Sequence, residues 1–321
     1  NSKLKIFIII FTFFIGFFVS TKFCPLVILI SKKYILFDQP GKRKEHKSPK
    51  SRIGGLSIYL GFLISLTIGL ISLFLISEVD SVMLSNIIFI LPISTGFFLL
   101  GFIDDLYQLS PILRLVFQFF LASIAWIIGF RIEVIDISLL SNELIYFHFI
   151  NIFSYLITII WLVGITNSVN WLDGLDGLAA GITLSILSGF FFVSLLSSTS
   201  SPFLIFISLI SSILGFLKFN TFPSSLMMGD GGSYFLGFNV AILSLTSSTF
   251  TSSFGANHFY LLTPLLILSI PFFDLTYVII KRLSKGHSPF YPDRSHIHHR
   301  LLNKGLTPKY VANRINIYVF V

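Results

Sequence analysis

Apolar residues in this chain come in long, nearly unbroken runs, not in the short alternating pattern of a half-buried strand or the narrow stripe of a surface helix. Leu4 to Ile30 opens the series, and similar runs recur over residues 53–77, 86–103, 111–130, 150–167, 178–197, 202–219, 232–249, 259–282 and 310–321. About 20 mostly apolar residues carry a helix across a bilayer. Each run is therefore predicted to span once, which gives about ten or eleven helices. The expected fold class is all-α: a polytopic transmembrane helix bundle forming a single domain over residues 1–321. The first run exceeds the apolar core of a signal peptide, about 7 to 15 residues, and reads as a retained helix. The sequence begins at Asn1 and stops within an apolar run, so both ends are expected to be clipped.

Composition agrees and removes alternatives. With 54% hydrophobic residues, 38 Phe, 11% charged residues and a mean hydropathy of +0.89, no segment remains for a separate soluble domain. Cys24 is the single cysteine, which rules out an intrachain disulfide and a cysteine metal site; it reads as a small packing residue.

Charge supplies orientation. If the connection after the first helix is cytoplasmic, so are residues 31–52, 104–114, 168–177, 218–231 and 281–309, and these hold 17 of the 22 Lys and Arg residues. Lys3, Lys5 and Arg131 lie on the other side, while Lys22 and Arg314 fall within helices. The positive-inside rule fixes that choice. It also explains most of the net charge of +8, but not why the basic loops contain His, Asp, Gly and Pro as well. Anionic ligands account for that mixture economically.

Eight of the 14 acidic residues, Asp38, Glu45, Asp104, Asp105, Asp173, Asp176, Asp230 and Asp293, fall on the same side, many of them at helix ends. Asp104 and Asp105 end an apolar run, where a capping role and a chemical role compete evenly. Asn167, Asn170, Asp173 and Asp176 recur at intervals of three, a spacing that on a helix or helical turn would align all four on one face. Capping needs one such group, not four, and oxygen ligands beside glycines suit a hard cation such as Mg²⁺. Further on, Asn220 and Pro223 precede Met228-Gly229-Asp230-Gly231-Gly232-Ser233 at the start of another helix. Glycines there allow backbone N–H groups to approach a phosphate, and Asp230 is placed to hold a bridging metal.

Two basic segments complete the set. Arg43, Lys44, His46 and Lys47 lie in the first cytoplasmic loop, suited to a diphosphate or an anionic lipid head group. In the last, His296, His298, His299 and Arg300 follow Arg294. Imidazoles permit zinc, but the flanking arginines repel a cation and favour pyrophosphate. Asp274, deep in an apolar run, is either a functional group or a helix-packing acceptor.

Taken in order, these segments resemble the polyprenyl-phosphate N-acetylhexosamine-1-phosphate transferases, over essentially the whole chain. The marks are Asp38-Gln39-Pro40 with Arg43-Lys44-Glu45-His46, the Asp104–Asp105 pair, Asn167 to Gly177, Asn220 to Asp230, and His296-Ile297-His298-His299-Arg300. Ile297 interrupts the triple histidine typical of the phospho-N-acetylmuramoyl-pentapeptide transferases, so the branch using UDP-N-acetylglucosamine is the better match. The resemblance implies transfer of a sugar 1-phosphate from a UDP-N-acetylhexosamine to undecaprenyl or another polyprenyl phosphate. It further implies UMP release, Mg²⁺ with Mn²⁺ as a substitute, often a homodimer, a bacterial plasma-membrane location and no nucleic-acid partner. It assigns Asp104, Asp105, Asp173 and Asp176 to catalysis and Asp230 with Asn170 to the metal. Arg43, Lys44, His46, Lys47, Asn167, Asn220, His296, His298, His299 and Arg300 fall to substrate binding. From another class, a cation-coupled transporter would also place carboxylates in helices, but near the bilayer midplane and not at one face.

Overall fold

The computed structural model describes residues 2–38, 49–136, 146–148, 150–196, 203–251, 257–260, 262–288 and 294–320. Where the sequence carries its long apolar runs, the backbone is helical: α1 (Ser2–Tyr34), α2 (Gly55–Leu75), α3 (Ser81–Tyr107), α4 (Pro111–Ile128), α5 (Asn151–Leu172), α6 (Leu178–Leu196), α7 (Phe203–Asn220) and α8 (Gly229–Ser248). A helix satisfies its own backbone polar groups, which hydrocarbon cannot do. The first seven are each long and apolar enough to cross a membrane. Local signals set several of their ends. Asp80 accepts a hydrogen bond from the Met83 N–H at the start of α3, Ser110 does the same for Leu113 ahead of Pro111 in α4, and Gly129 closes α4 in the left-handed region at φ 118°.

Helix α8 is the hub of the bundle. Tyr234, Phe235, Leu236, Phe238 and the run from Val240 to Leu243 are buried, and α2, α3, α5 and α6 pack around it. Outer helices keep an apolar exterior instead: Phe7, Phe11, Phe14 and Phe18 on α1 and Val116, Phe117 and Phe120 on α4 are exposed, as a lipid-facing surface requires.

The run expected to span residues 259–282 is not one helix. It begins as strand β6 (Asn257–Tyr260), continues as α9 (Leu262–Ile267), breaks at Leu268 (φ −90°, ψ 13°) and resumes as α10 (Ser269–Ser284). Pro271 has no N–H to offer the Ile267 carbonyl, so the ladder is interrupted there. The connections read as plain loops on the side away from the motifs also contain β3 (Val134–Asp136), β4 (Tyr146–His148) and β5 (Thr249–Thr251). With β6 they form a small sheet in the order β4-β3-β6-β5 that continues from the C-terminus of α8; β3 and β6 are parallel, the other pairs antiparallel.

At the N-terminal end of α8, β1 (Phe37–Asp38) pairs with β2 (Lys50–Ser51). Beyond β2 the chain zips onto the segment before α8, through Met227 N–H to Ser51 O, Gly54 N–H to Met227 O and Gly55 N–H to Met228 O. The short helices α11 (Ile297–Leu302) and α12 (Pro308–Phe320) complete the described chain.

Candidate active site

The site is built around the first turn of α8, whose N–H groups have no partner within the helix. Asp105 supplies one: Oδ1 accepts from the Asp230 N–H and Oδ2 from the Gly231 N–H, each at 2.9 Å. The carboxylate also lies at the positive end of the α8 dipole. Glycine makes the approach possible. A Cβ on Gly101 would fall 2.1 Å from the Asp230 carbonyl oxygen, and Gly229 takes φ +73° with the Asp105 carboxylate against it. Asp105, expected among the catalytic groups, therefore holds α8 against α3.

Its neighbour Asp104 faces elsewhere. Oδ1 accepts from the Leu109 N–H at 2.7 Å and Oδ2 from Arg114 Nη1 at 2.7 Å. The same Nη1 lies 3.6 Å from Asp230 Oδ2 and donates to the Tyr234 hydroxyl at 3.3 Å. Asn170, from the last turns of α5, donates Nδ2 to Asp230 Oδ1 at 2.6 Å and to Ser233 Oγ at 2.8 Å. One cationic guanidinium thus stands between two carboxylates, with an amide orienting the more open of them.

Asp173 is the residue at which α5 ends (φ −77°, ψ 45°), followed by a turn that closes at Gly177 with φ +72°. The helix stops too early for the four-residue face read from the spacing: Asn167 and Asn170 share α5, Asp173 caps it, and Asp176 lies on the turn. Burial and then the Asp230 charge push the Asp173 carboxyl up to about 7, against a hydrogen bond from the Gly229 N–H and with a smaller contribution from Asp176. Crowding of this kind is relieved by a divalent cation, and Asp173 and Asp230 would be its protein ligands. Among the described residues no three His, Cys, Asp or Glu side chains form a ready-made cage. Mg²⁺ does not need one, since it commonly takes one or two carboxylates and completes its shell with water and substrate phosphate.

Asp176 meets a different environment. Both its oxygens accept from Lys50 Nζ, at 2.7 and 2.8 Å, and it accepts from the Ser224 N–H and hydroxyl at 3.0 and 2.7 Å. Asn220 fastens the neighbouring backbone by accepting from the Gly177 N–H and donating to the Leu226 carbonyl. These residues wall a cavity of about 610 Å³ that Asp173, Phe222 and Lys309 also line. A second cavity of about 540 Å³, between α6 and α12, shares Asp176, Phe222 and Lys309 with it.

The histidine segment comes to the same turn. His298 is buried with its Nε2 against Gly174, and its Nδ1 has no hydrogen-bond partner among the described residues. Burial, followed by its histidine neighbours His299 and His296, lowers its pKa to about 3, so it is a neutral imidazole. His299 lies 4.2 Å from it, ring centroid to centroid. His296 is turned away, onto Asp274, and Arg300 lies over the Tyr277 ring at 4.5 Å. Asn167 faces α4, donating to Gln118 at 2.6 Å. Arg43, Lys44, His46 and Lys47 lie outside the described residues. Lys50, Arg114 and Ser224 were not singled out from sequence. Arg114 carried one signal, a lone cation in the first turn of an apolar helix; Lys50 was hidden in a run of basic residues, and nothing marked Ser224.

Comparison with known proteins fits this arrangement. The family model described as glycosyl transferase family 4 matches residues 87–248, from α3 through α8. A probable undecaprenyl-phosphate N-acetylglucosaminyl 1-phosphate transferase of Bacillus subtilis is 34% identical over 283 residues, covering 88% of this chain and 74% of that protein. A decaprenyl-phosphate N-acetylglucosaminephosphotransferase of Mycobacterium leprae is 32% identical, covering 92% and 77%. The undecaprenyl-phosphate alpha-N-acetylglucosaminyl 1-phosphate transferase of Escherichia coli K12 is 26% identical, covering 91% and 76%.

Proposed function

The chain belongs to glycosyl transferase family 4, and from that premise we propose that it transfers N-acetylglucosamine 1-phosphate from UDP-N-acetylglucosamine to a polyprenyl phosphate, releasing UMP. The observation that carries the reading is convergence. Asp104 from α3, Asp173 from the end of α5 and Asp230 from α8 meet at one end of an apolar bundle, with Arg114 among them and a cavity beside them. The names of the relatives support the acceptor and the sugar. The charge bias read from the sequence, with 17 of the 22 basic residues in the alternate segments that carry these motifs, assigns this end to the cytoplasm.

Phosphoryl transfer asks chiefly for positioning and charge neutralisation. Bound Mg²⁺ would supply Lewis-acid stabilisation of the pyrophosphate oxygens. The chain's own residues do the rest. Asp173 and Asp230 would hold the cation, Asn170 orients Asp230, and Arg114 pairs with Asp104 beside them. The nucleoside occupies the cavity walled by Asp176, Asn220 and Phe222, placing the pyrophosphate toward Asp173. A phosphate monoester has a second pKa of about 6 and is largely dianionic at neutral pH. An oxygen of the lipid phosphate therefore attacks the phosphorus that bears the sugar, and the bond from that phosphorus to the UMP oxygen breaks. The lipid tail stays among the exposed apolar faces.

UMP release by purified protein with UDP-N-acetylglucosamine, undecaprenyl phosphate and Mg²⁺ tests the reading. Release is expected to require lipid, metal and Asp230, with sugar phosphate recovered on the lipid. No release from folded protein across a panel of UDP-sugars would overturn it.

A further inference from the structure

Outside the acidic cluster, a set of paired, buried polar side chains lies between α10 and α11. Asp274, 7% exposed, accepts from His296 Nδ1 at 2.8 Å through one carboxylate oxygen and from the Ile297 N–H at 2.7 Å through the other. Ile297 is the first residue of α11, so its N–H would otherwise lack a partner. On the far side of the imidazole, Arg282 Nη2 lies 3.4 Å from His296 Nε2. A guanidinium can only donate, so Nε2 is the group that faces a donor there, while Nδ1 faces the Asp274 carboxylate. Arg282, itself 5% exposed, stacks 4.8 Å over the Trp171 ring, and the His296 ring lies 5.5 Å from the same indole. Trp171 is two residues before Asp173.

Both ring nitrogens of His296 are thus engaged within the protein, which leaves neither free for a ligand. His298, two residues on, is the opposite case: buried, facing Gly174, with Nδ1 open. We propose that Asp274 is a positioning residue for the transferase reaction: acting through His296, it sets the orientation of α11 and so places His298 against the Asp173 turn, while His296 is a strut and not a substrate ligand. This rests on the transferase reading above. It also reassigns His296, which the sequence had placed among the substrate-binding groups.

The two histidine isosteres separate a strut from a ligand. Asn presents an amide N–H close to the position of Nδ1, whereas Gln reaches the position of Nε2. A strut needs the first, a ligand the second. With UMP release as the assay, His296→Asn is expected to keep kcat/KM within about threefold of the unaltered protein. His296→Gln and Asp274→Asn are each expected to lose roughly 10- to 100-fold, the usual range for residues that orient a reacting group through another. The double variant carrying Asp274→Asn and His296→Gln should be no worse than the poorer single one, because both remove the same contact. The opposite order, with Gln active and Asn impaired, or losses that multiply in the double variant, would overturn the proposal. Should Asp274→Asn fail to fold, the comparison of Asn with Gln at position 296 decides alone. If the unaltered protein releases no UMP, the functional reading falls, and the same order read as thermal stability in detergent still tests the strut: Asn preserving it supports the contact, Gln preserving it refutes it.

Discussion

Asp173 and Asp176 stand three residues apart on one turn, yet they are held in opposite ways. Asp176 is saturated by Lys50 and by the Ser224 backbone and hydroxyl. Asp173 lies among other carboxylates and is pushed up to about 7 by burial and by Asp230. A fully paired buried charge fixes one conformation and has no capacity left for a ligand. A crowded, under-neutralised one remains poised to take a cation or a proton. The same contrast separates Asp230 from Asp274. Residue type and spacing make these carboxylates look alike, and only their partners separate the paired from the crowded.

The largest effect should come from the under-neutralised side. Asp230→Asn is expected to lower kcat by about 10³-fold, the scale of losing one preorganised electrostatic group, while the melting temperature in detergent changes little. A variant that kept near-normal turnover would end the distinction drawn here. On the paired side the order reverses. Asp176→Ala strands the Lys50 ammonium, 8% exposed, and is expected to destabilise the fold by about 3 to 5 kcal/mol. Pairing it with Lys50→Met should restore much of the melting temperature without restoring UMP release. If Asp176→Ala left stability untouched, Asp176 would belong with Asp173.

Proton linkage sharpens the comparison further. The folded-state pKa of Asp173, about 7, lies above its ordinary 3.8, so the folded protein holds this proton more tightly than the unfolded chain does. In metal-free protein its contribution to stability is fully present below about pH 4 and is lost as pH rises through 7. Mg²⁺ should reverse that loss above pH 7. Read the other way, Mg²⁺ affinity should fall about tenfold per pH unit below 7 as protons compete; Asp173→Asn should flatten this slope, which Mg²⁺ titrations at pH 6, 7 and 8 would reveal. His298, lowered to about 3, contributes stability that is present above pH 6.5 and is lost as pH falls toward 3. The smallest effect lies farthest from the chemistry. Asp80→Ala, at the opposite end of α3 from Asp104, should cost about 1 kcal/mol for the lost cap and leave kcat unchanged.

The sequence by itself determined the membrane character, the positions of most helices, the end of the bundle at which acidic and basic residues gather, and the family, because apolar run length and motif order are local properties of the chain. It could not decide the break at Leu268, since two prolines in an apolar run are compatible with a kinked span as well as with two helices. Nor could it divide labour within Asp104–Asp105 or Asp173–Asp176, where residues of one type differ only in what faces them. Asp105 meets α8 across 125 positions, Lys50 meets Asp176 across 126, and Asp274 meets His296 across 22. Hydropathy and spacing carry no record of such partners. A carboxylate in a low-dielectric interior takes its role from the few donors within 3 Å, and bringing those donors together was left to the tertiary structure.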